Sequence, residues 1–121
     1  MKKQFFLFFT LLLFLVEVNA DNYPKNTGID ILHYRFELIL SDDENLIKGS
    51  STINILFKKK DIKEIRLDLI NKNNRIDGKG MKVSGISLND QSLEYIHRNN
   101  VLTISLDQPS KVDQEISITI D

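Results

Sequence analysis

The sequence predicts an all-β chain folded as an antiparallel β-sandwich. Three observations carry that prediction. Apolar residues recur at every second position through most of the chain. The polar stretches between these runs are rich in Asn, Asp and Gly. Beyond the first twenty or so residues, nothing has the three-to-four spacing of an amphipathic helix. Period-two patterning broken by turn-forming residues at short intervals is the signature of strands in a sandwich.

The N-terminus stands apart from this pattern. Lys2 and Lys3 precede the apolar run FFLFFTLLLFLV at 5–16, and Val18-Asn19-Ala20 follows with a small residue at the end. A positive start, an apolar middle and a small-residue site form the layout of a secretory signal peptide. The run is about a dozen residues, whereas a spanning helix needs about 20. A retained membrane span is therefore not expected. The predicted organisation is a signal peptide at 1–20 and one β-domain at 21–121, with the mature chain exported to a periplasmic or extracellular location.

The strands are taken in order. Residues 21–28 (DNYPKNTG) read as a polar leader loop. From Ile31, the residues Leu32, Tyr34, Phe36, Leu38 and Leu40 share one face, and His33, Arg35 and Glu37 the other. The first set is expected to be buried. A polar turn, Ser41 to Asn45, leads to a strand with Ile47, Gly49, Ser51, Ile53, Ile55 and Phe57 on one face. Gly49 within a strand implies a bulge or a close backbone approach. Ile65, Leu67 and Leu69 form a third strand.

Residues 71–80 (NKNNRIDGKG) are expected to turn. A fourth strand starts at Met81. Its apolar phase shifts from Val83 to Ile86 and Leu88, which predicts a bulge at Gly85. After a turn at Asn89-Asp90, Leu93 to Ile96 and Val101 to Leu106 read as a hairpin, with His97, Arg98, Asn99 and Asn100 in its turn. Ile116, Ile118 and Ile120 alternate in a seventh and last strand. An isoleucine-rich strand without a neighbour would be an aggregation hazard.

Composition excludes several functions. The formal net charge is −1, and the only basic run, Lys58-Lys59-Lys60, adjoins Asp61 in a turn. No nucleic-acid surface is expected. The chain has no cysteine, so its stability rests on burial and strand pairing and not on disulfides. His33 and His97 are far apart and lack cysteine company, which makes a poor metal site. His33 reads as a surface or interface residue on the polar face of its strand, and His97 as a solvated turn residue. Asp42, Asp43 and Glu44 form an acidic turn without the spacing of a calcium loop. Asp77-Gly78-Lys79-Gly80 lacks the strand–helix context of a phosphate loop. Ser50 and Ser51 have no nucleophile elbow around them. The expected sets of catalytic, cofactor-binding and metal-binding residues are all empty.

The block Ile31-Leu32-His33-Tyr34-Arg35-Phe36-Glu37-Leu38, followed by Ile47-Lys48-Gly49-Ser50-Ser51-Thr52-Ile53, resembles the opening of the aminopeptidase N family of zinc metallopeptidases. Ile65-Arg66-Leu67-Asp68-Leu69 is similar to the family's "i-x-L-D" strand. Residues 81–86, 101–106 and 115–120 resemble the strands that follow it. The resemblance runs in order over nearly all of the chain past the signal peptide, with His33-Tyr34 and Gly49 as its most specific marks.

It implies the first part of a saddle-shaped, all-β N-terminal domain that packs in cis on a zinc-peptidase catalytic domain. It also implies peptides as substrates of the full-length family. The family's chemistry lies in a G-x-M-E-N segment that holds the substrate amine and in H-E-x-x-H with a distant Glu, which bind zinc and activate water. Neither motif occurs in these 121 residues. The chain alone is therefore expected to be inactive, with zinc belonging to a catalytic domain outside it. The alternative is a self-contained secreted β-sandwich for binding or adhesion. The absence of Trp, and the expected burial of Tyr34 and Phe36, weigh against that reading.

Overall fold

In a computed structural model of the chain, residues 26–42, 45–72 and 77–121 are described. The segment expected to be a signal peptide lies outside them. Among the described residues, no helix is long and apolar enough to cross a membrane.

The described residues form eight strands: β1 (Ile29–Ile39), β2 (Lys48–Phe57), β3 (Glu64–Asp68), β4 (Ile86–Leu88), β5 (Gln91–Ser92), β6 (Tyr95–Arg98), β7 (Val101–Ser105) and β8 (Glu115–Ile120). They make two antiparallel sheets, one ordered β1-β2-β8-β4-β5 and the other β3-β7-β6. The sandwich expected from the alternation is present, with one strand more than the sequence pattern indicated. The extra strand, β5, pairs with β4 across Asn89-Asp90.

Turn chemistry fixes both tight hairpins. Asn89 and Asp90 have φ of 50° and 65°, and Asn99 and Asn100 have 53° and 61°. Two consecutive residues at positive φ suit the right-handed twist of flanking strands, and Asn and Asp tolerate that region best after Gly. The β6–β7 turn consists of Asn99-Asn100 alone, because Arg98 pairs with Val101 and His97 with Leu102. His97 and Arg98 thus belong to a strand and not to the turn expected for them.

The core lies where the sheets overlap. Ile53, Ile55, Phe57, Ile86 and Ile118 of the larger sheet meet Ile65, Leu102 and Ile104 of the smaller one, with Val83 and Leu93 alongside. Ile55, Ile65, Leu102, Ile104 and Ile118 retain no solvent exposure. Among the described residues, Ser110 is the one buried polar residue. Its hydroxyl donates to Lys59 O at 2.8 Å and accepts from Ile62 N–H at 3.0 Å. It therefore joins the loop after β2 to the loop before β8 with no unpaired polar atom.

The phase shift at Gly85 has the expected cause. Asp121 O accepts from both Ser84 N–H and Gly85 N–H, and Asp121 N–H donates to Gly85 O. Two residues facing one is the arrangement of a bulge, and it lets Val83 and Ile86 both turn inward. A second bulge was not foreseen. The β1–β2 register shifts between Ile31 and His33, so Leu32 is the extra residue. The last strand is not without neighbours either. β8 lies between β2 and β4, and the long free edge belongs to β1.

Truncating the central Ile118 of β8 should cost about 2–5 kcal/mol, the range for removing a buried Ile side chain. Urea denaturation of Ile118→Ala should show this as a lower midpoint with an unchanged slope.

Candidate functional site

The smaller sheet is too short to cover the larger one. β1 has 11 residues and β2 has 10, against 5, 4 and 5 in β3, β6 and β7. At about 3.3 Å per residue, the long hairpin runs well past its cover. Cross-strand partners share a face, so Tyr34 opposite Ile53, Phe36 opposite Ser51 and Leu38 opposite Gly49 continue the inner face begun by Ile31 opposite Ile55. The inward phase expected for Tyr34, Phe36 and Leu38 is correct, but the expected burial is not. Their exposures are 47%, 65% and 67%. Leu32 at 47% and Leu40 at 74% are also exposed.

Alternation reports the face of a sheet, and burial depends on the opposite layer, which ends before this point. Leu46 and Ile47, just before β2, are exposed as well. Within it, the rings of Tyr34 and Phe36 lie parallel, 5.9 Å between centroids and 6° between planes. Gly49 explains the close packing here. A Cβ at that position would come within 2.9 Å of Leu38 Cδ2 and 3.1 Å of Glu37 O.

The opposite face of the hairpin is polar. His33, Arg35 and Glu37 are exposed on it, and Arg35 Nη2 meets Glu37 Oε1 at 2.7 Å. On the neighbouring strands Ser117 donates to Asn54 at 3.0 Å. His33 is therefore a surface residue, as expected from its position.

His97 is half-buried and not a solvated turn residue. Its Nε2 donates to Leu69 O at 2.9 Å, since a carbonyl can only accept. Asn71 and Asn100 exchange backbone-to-side-chain bonds of 2.9 and 2.6 Å, and Asn71 Nδ2 donates to His97 O at 3.1 Å. Tyr95 Oη donates to Val83 O at 3.1 Å. These bonds tie the segments around 70 and 83 to the β6–β7 hairpin. In the shallow hollow lined by Asn71, Lys72, Met81, Lys82, Val83, Tyr95 and His97, the Asn71, Tyr95 and His97 side chains serve these ties.

The remaining candidates stay apart. Asp43 and Glu44 of the acidic turn lie outside the described residues. Asp77-Gly78 forms a turn with both φ values positive, 55° and 68°, and leads to no helix. Ser50 and Ser51 sit in β2, facing Glu37 and Phe36. Among the described residues, no three His, Cys, Asp or Glu side chains come together as a metal site would require. What this region offers chemically is an apolar, partly aromatic surface for contact, next to a free strand edge.

The fold defines the chain as an open antiparallel β-sandwich with one long, half-covered hairpin. Solved structures that share this architecture include zinc metallopeptidases. A two-domain M1 zinc metallopeptidase mutant bound to L-tryptophan superposes with a TM-score of 0.62 at 20% identity, over 78% of this chain and 20% of that chain. An M1 zinc metallopeptidase mutant from Deinococcus radiodurans bound to a Tyr-Ser-Ala substrate gives 0.61 at 20% identity, over 77% and 20%. The M1 zinc metallopeptidase from the same organism gives 0.61 at 20% identity, over 77% and 19%. The chain thus spans about a fifth of the length of the structures it matches. What it shares with them is the fold of that part. No family model and no curated protein matches the sequence.

Because Phe36 is exposed, Phe36→Ser should leave the unfolding free energy within about 0.5 kcal/mol, as surface substitutions do. A buried Phe would cost about 3–5 kcal/mol on truncation to Ala. The same variant should bind less of a hydrophobic dye than the parent in the folded state.

Proposed function

We propose that this chain is the non-catalytic N-terminal β-domain portion of an exported zinc aminopeptidase, a protein that at full length removes N-terminal residues from peptides. The observation that carries the reading is the agreement of two independent signs. The order of strand motifs, His33-Tyr34 and Gly49 among them, resembles the start of aminopeptidase N-type enzymes. Separately, the fold superposes on M1 zinc metallopeptidases over 78% of the chain while taking up only 20% of theirs.

The role of the domain is structural. The apolar inner face of β1 and β2, bare beyond the smaller sheet, is the surface on which a catalytic domain in cis packs. Zinc, the substrate-amine clamp and the water-activating Glu belong to that catalytic domain. The chain's own contribution is to bury apolar area and help shape the entrance to the active site.

The decisive experiment reads the coding sequence past codon 121 in all frames and assays the gene product that results. A G-x-M-E-N segment followed by H-E-x-x-H is expected downstream. The product should hydrolyse aminoacyl-p-nitroanilides in a chelator-sensitive way, whereas the 121-residue chain alone should not. Absence of both motifs in every frame removes the reading.

One observation favours a second reading, a self-contained binding or adhesion module. Tyr34 and Phe36 form an exposed, parallel aromatic pair, the type of surface on which sugar rings or other flat apolar groups stack. A glycan array probed with the chain and with Tyr34→Ala/Phe36→Ala separates the two. Binding that disappears in the double variant supports the module, and a flat array for the parent removes it.

A further inference from the structure

We propose that the free edge of β1 pairs antiparallel with β1 of a second copy of this chain, about a two-fold axis through Phe36. The proposal goes beyond the peptidase reading, since it concerns the edge of the strand and not its inner face.

Among the described residues, β1 is an outermost strand with β2 as its only neighbour. The other outer strands, β3, β5 and β6, have 5, 2 and 4 residues, against 11 in β1. After the bulge at Leu32, residues 33 to 39 run in unbroken register with β2, contain no proline, and are exposed. A long, regular, apolar-rich edge is a template for pairing with another strand.

The charges choose the register. Backbone N–H and C=O groups point outward only at alternate residues. Two-fold pairing of a strand with itself therefore requires that paired residue numbers add to an even sum. Centring on Arg35 opposes two arginines, and centring on Glu37 opposes two glutamates, both unfavourable. Centring on Tyr34 carries the ladder into the bulge at Leu32, and centring on Leu38 leaves Arg35 and Glu37 without opposite charges. Centring on Phe36 places Arg35 against Glu37 of the second copy twice over. It also sets Phe36 against Phe36 and Tyr34 against Leu38 on the apolar face. This register places its axis at the middle of the regular stretch, so that all of residues 33–39 pair.

The 2.7 Å contact between Arg35 and Glu37 within one strand is highly exposed. Exchanging it for cross-strand contacts gives up little.

The test uses the chain expressed from its full coding sequence, followed by sedimentation equilibrium over a range of concentrations. A monomer–dimer equilibrium is expected. Arg35→Glu, at an exposed site that leaves the fold intact by circular dichroism, should raise the dimer Kd about tenfold, because two attractive pairs become repulsive. The exchange Arg35→Glu/Glu37→Arg should bring it back to within about twofold. These 121 residues hold no cysteine, so within them Phe36→Cys can bond only to its counterpart in a second copy. Directly opposed residues lie about 4.5–5.5 Å apart at Cα, within the range a disulfide spans. Mild oxidation should therefore give a covalent dimer. A monomer at every concentration overturns the proposal. So does a dimer whose Kd ignores Arg35→Glu and whose Phe36→Cys variant stays unlinked. Either result leaves the peptidase reading standing, since that reading is decided by the downstream motifs.

Discussion

The structure depends on one mismatch, that between a sheet built on strands of ten or eleven residues and a facing sheet whose strands have four or five. Burial requires two layers about 10 Å apart. Where both layers exist, the inner faces close to a dry core with Ile55, Ile65, Leu102, Ile104 and Ile118 fully enclosed. Where the smaller sheet stops, the same alternation of apolar residues continues along β1 and becomes surface. The change occurs within one strand, between Ile31, which packs against the core, and Phe36, which does not.

This mismatch also marks what the sequence could and could not disclose. Period-two patterning identifies faces. It put Tyr34, Phe36 and Leu38 on the same side as Ile53, and the cross-strand partners agree. It carries no information on how far the opposing layer extends, because that is set by the lengths of strands elsewhere in the chain. The bulge at Leu32 was hidden for a related reason. Leu32 is itself apolar and in phase with Tyr34 and Phe36, so it reads as a regular member of the alternation. Gly85 was legible because the apolar phase visibly shifts there and glycine sits at the shift. His97 was misplaced because a four-residue polar run resembles a four-residue turn. Two positive-φ asparagines suffice for the hairpin, which returns His97 to the strand. Ser110 gave no signal, since a buried serine that joins two loops looks in sequence like any turn serine.

The polar side chains that tie neighbouring segments together follow a consistent rule. His97, Asn71, Asn100, Tyr95 and Ser110 each spend their hydrogen-bonding capacity on backbone groups of neighbouring segments. Every buried side-chain nitrogen and oxygen among the described residues has a partner. Catalytic groups are usually held the other way, with a donor or acceptor aimed into a cavity and its protonation perturbed. Side chains committed to loop-to-strand ties hold a scaffold together.

Face and edge of β1 pose separate physical problems. The face is apolar, and only another layer can satisfy it, whether a further domain or a flat ligand. The edge presents unpaired backbone groups, and a strand satisfies it regardless of side-chain character. Natural edges are commonly defended by bulges and charges. β1 has both, in Leu32 and in the Arg35–Glu37 pair. Their arrangement limits the defence. A bulge at one end leaves a regular stretch beyond it. Opposite charges two residues apart on the same face set like against like when the axis falls on either of them, yet attract a copy centred between them. The features that protect this edge from indiscriminate pairing therefore leave one pairing open, and it is the pairing that the strand's own sequence complements.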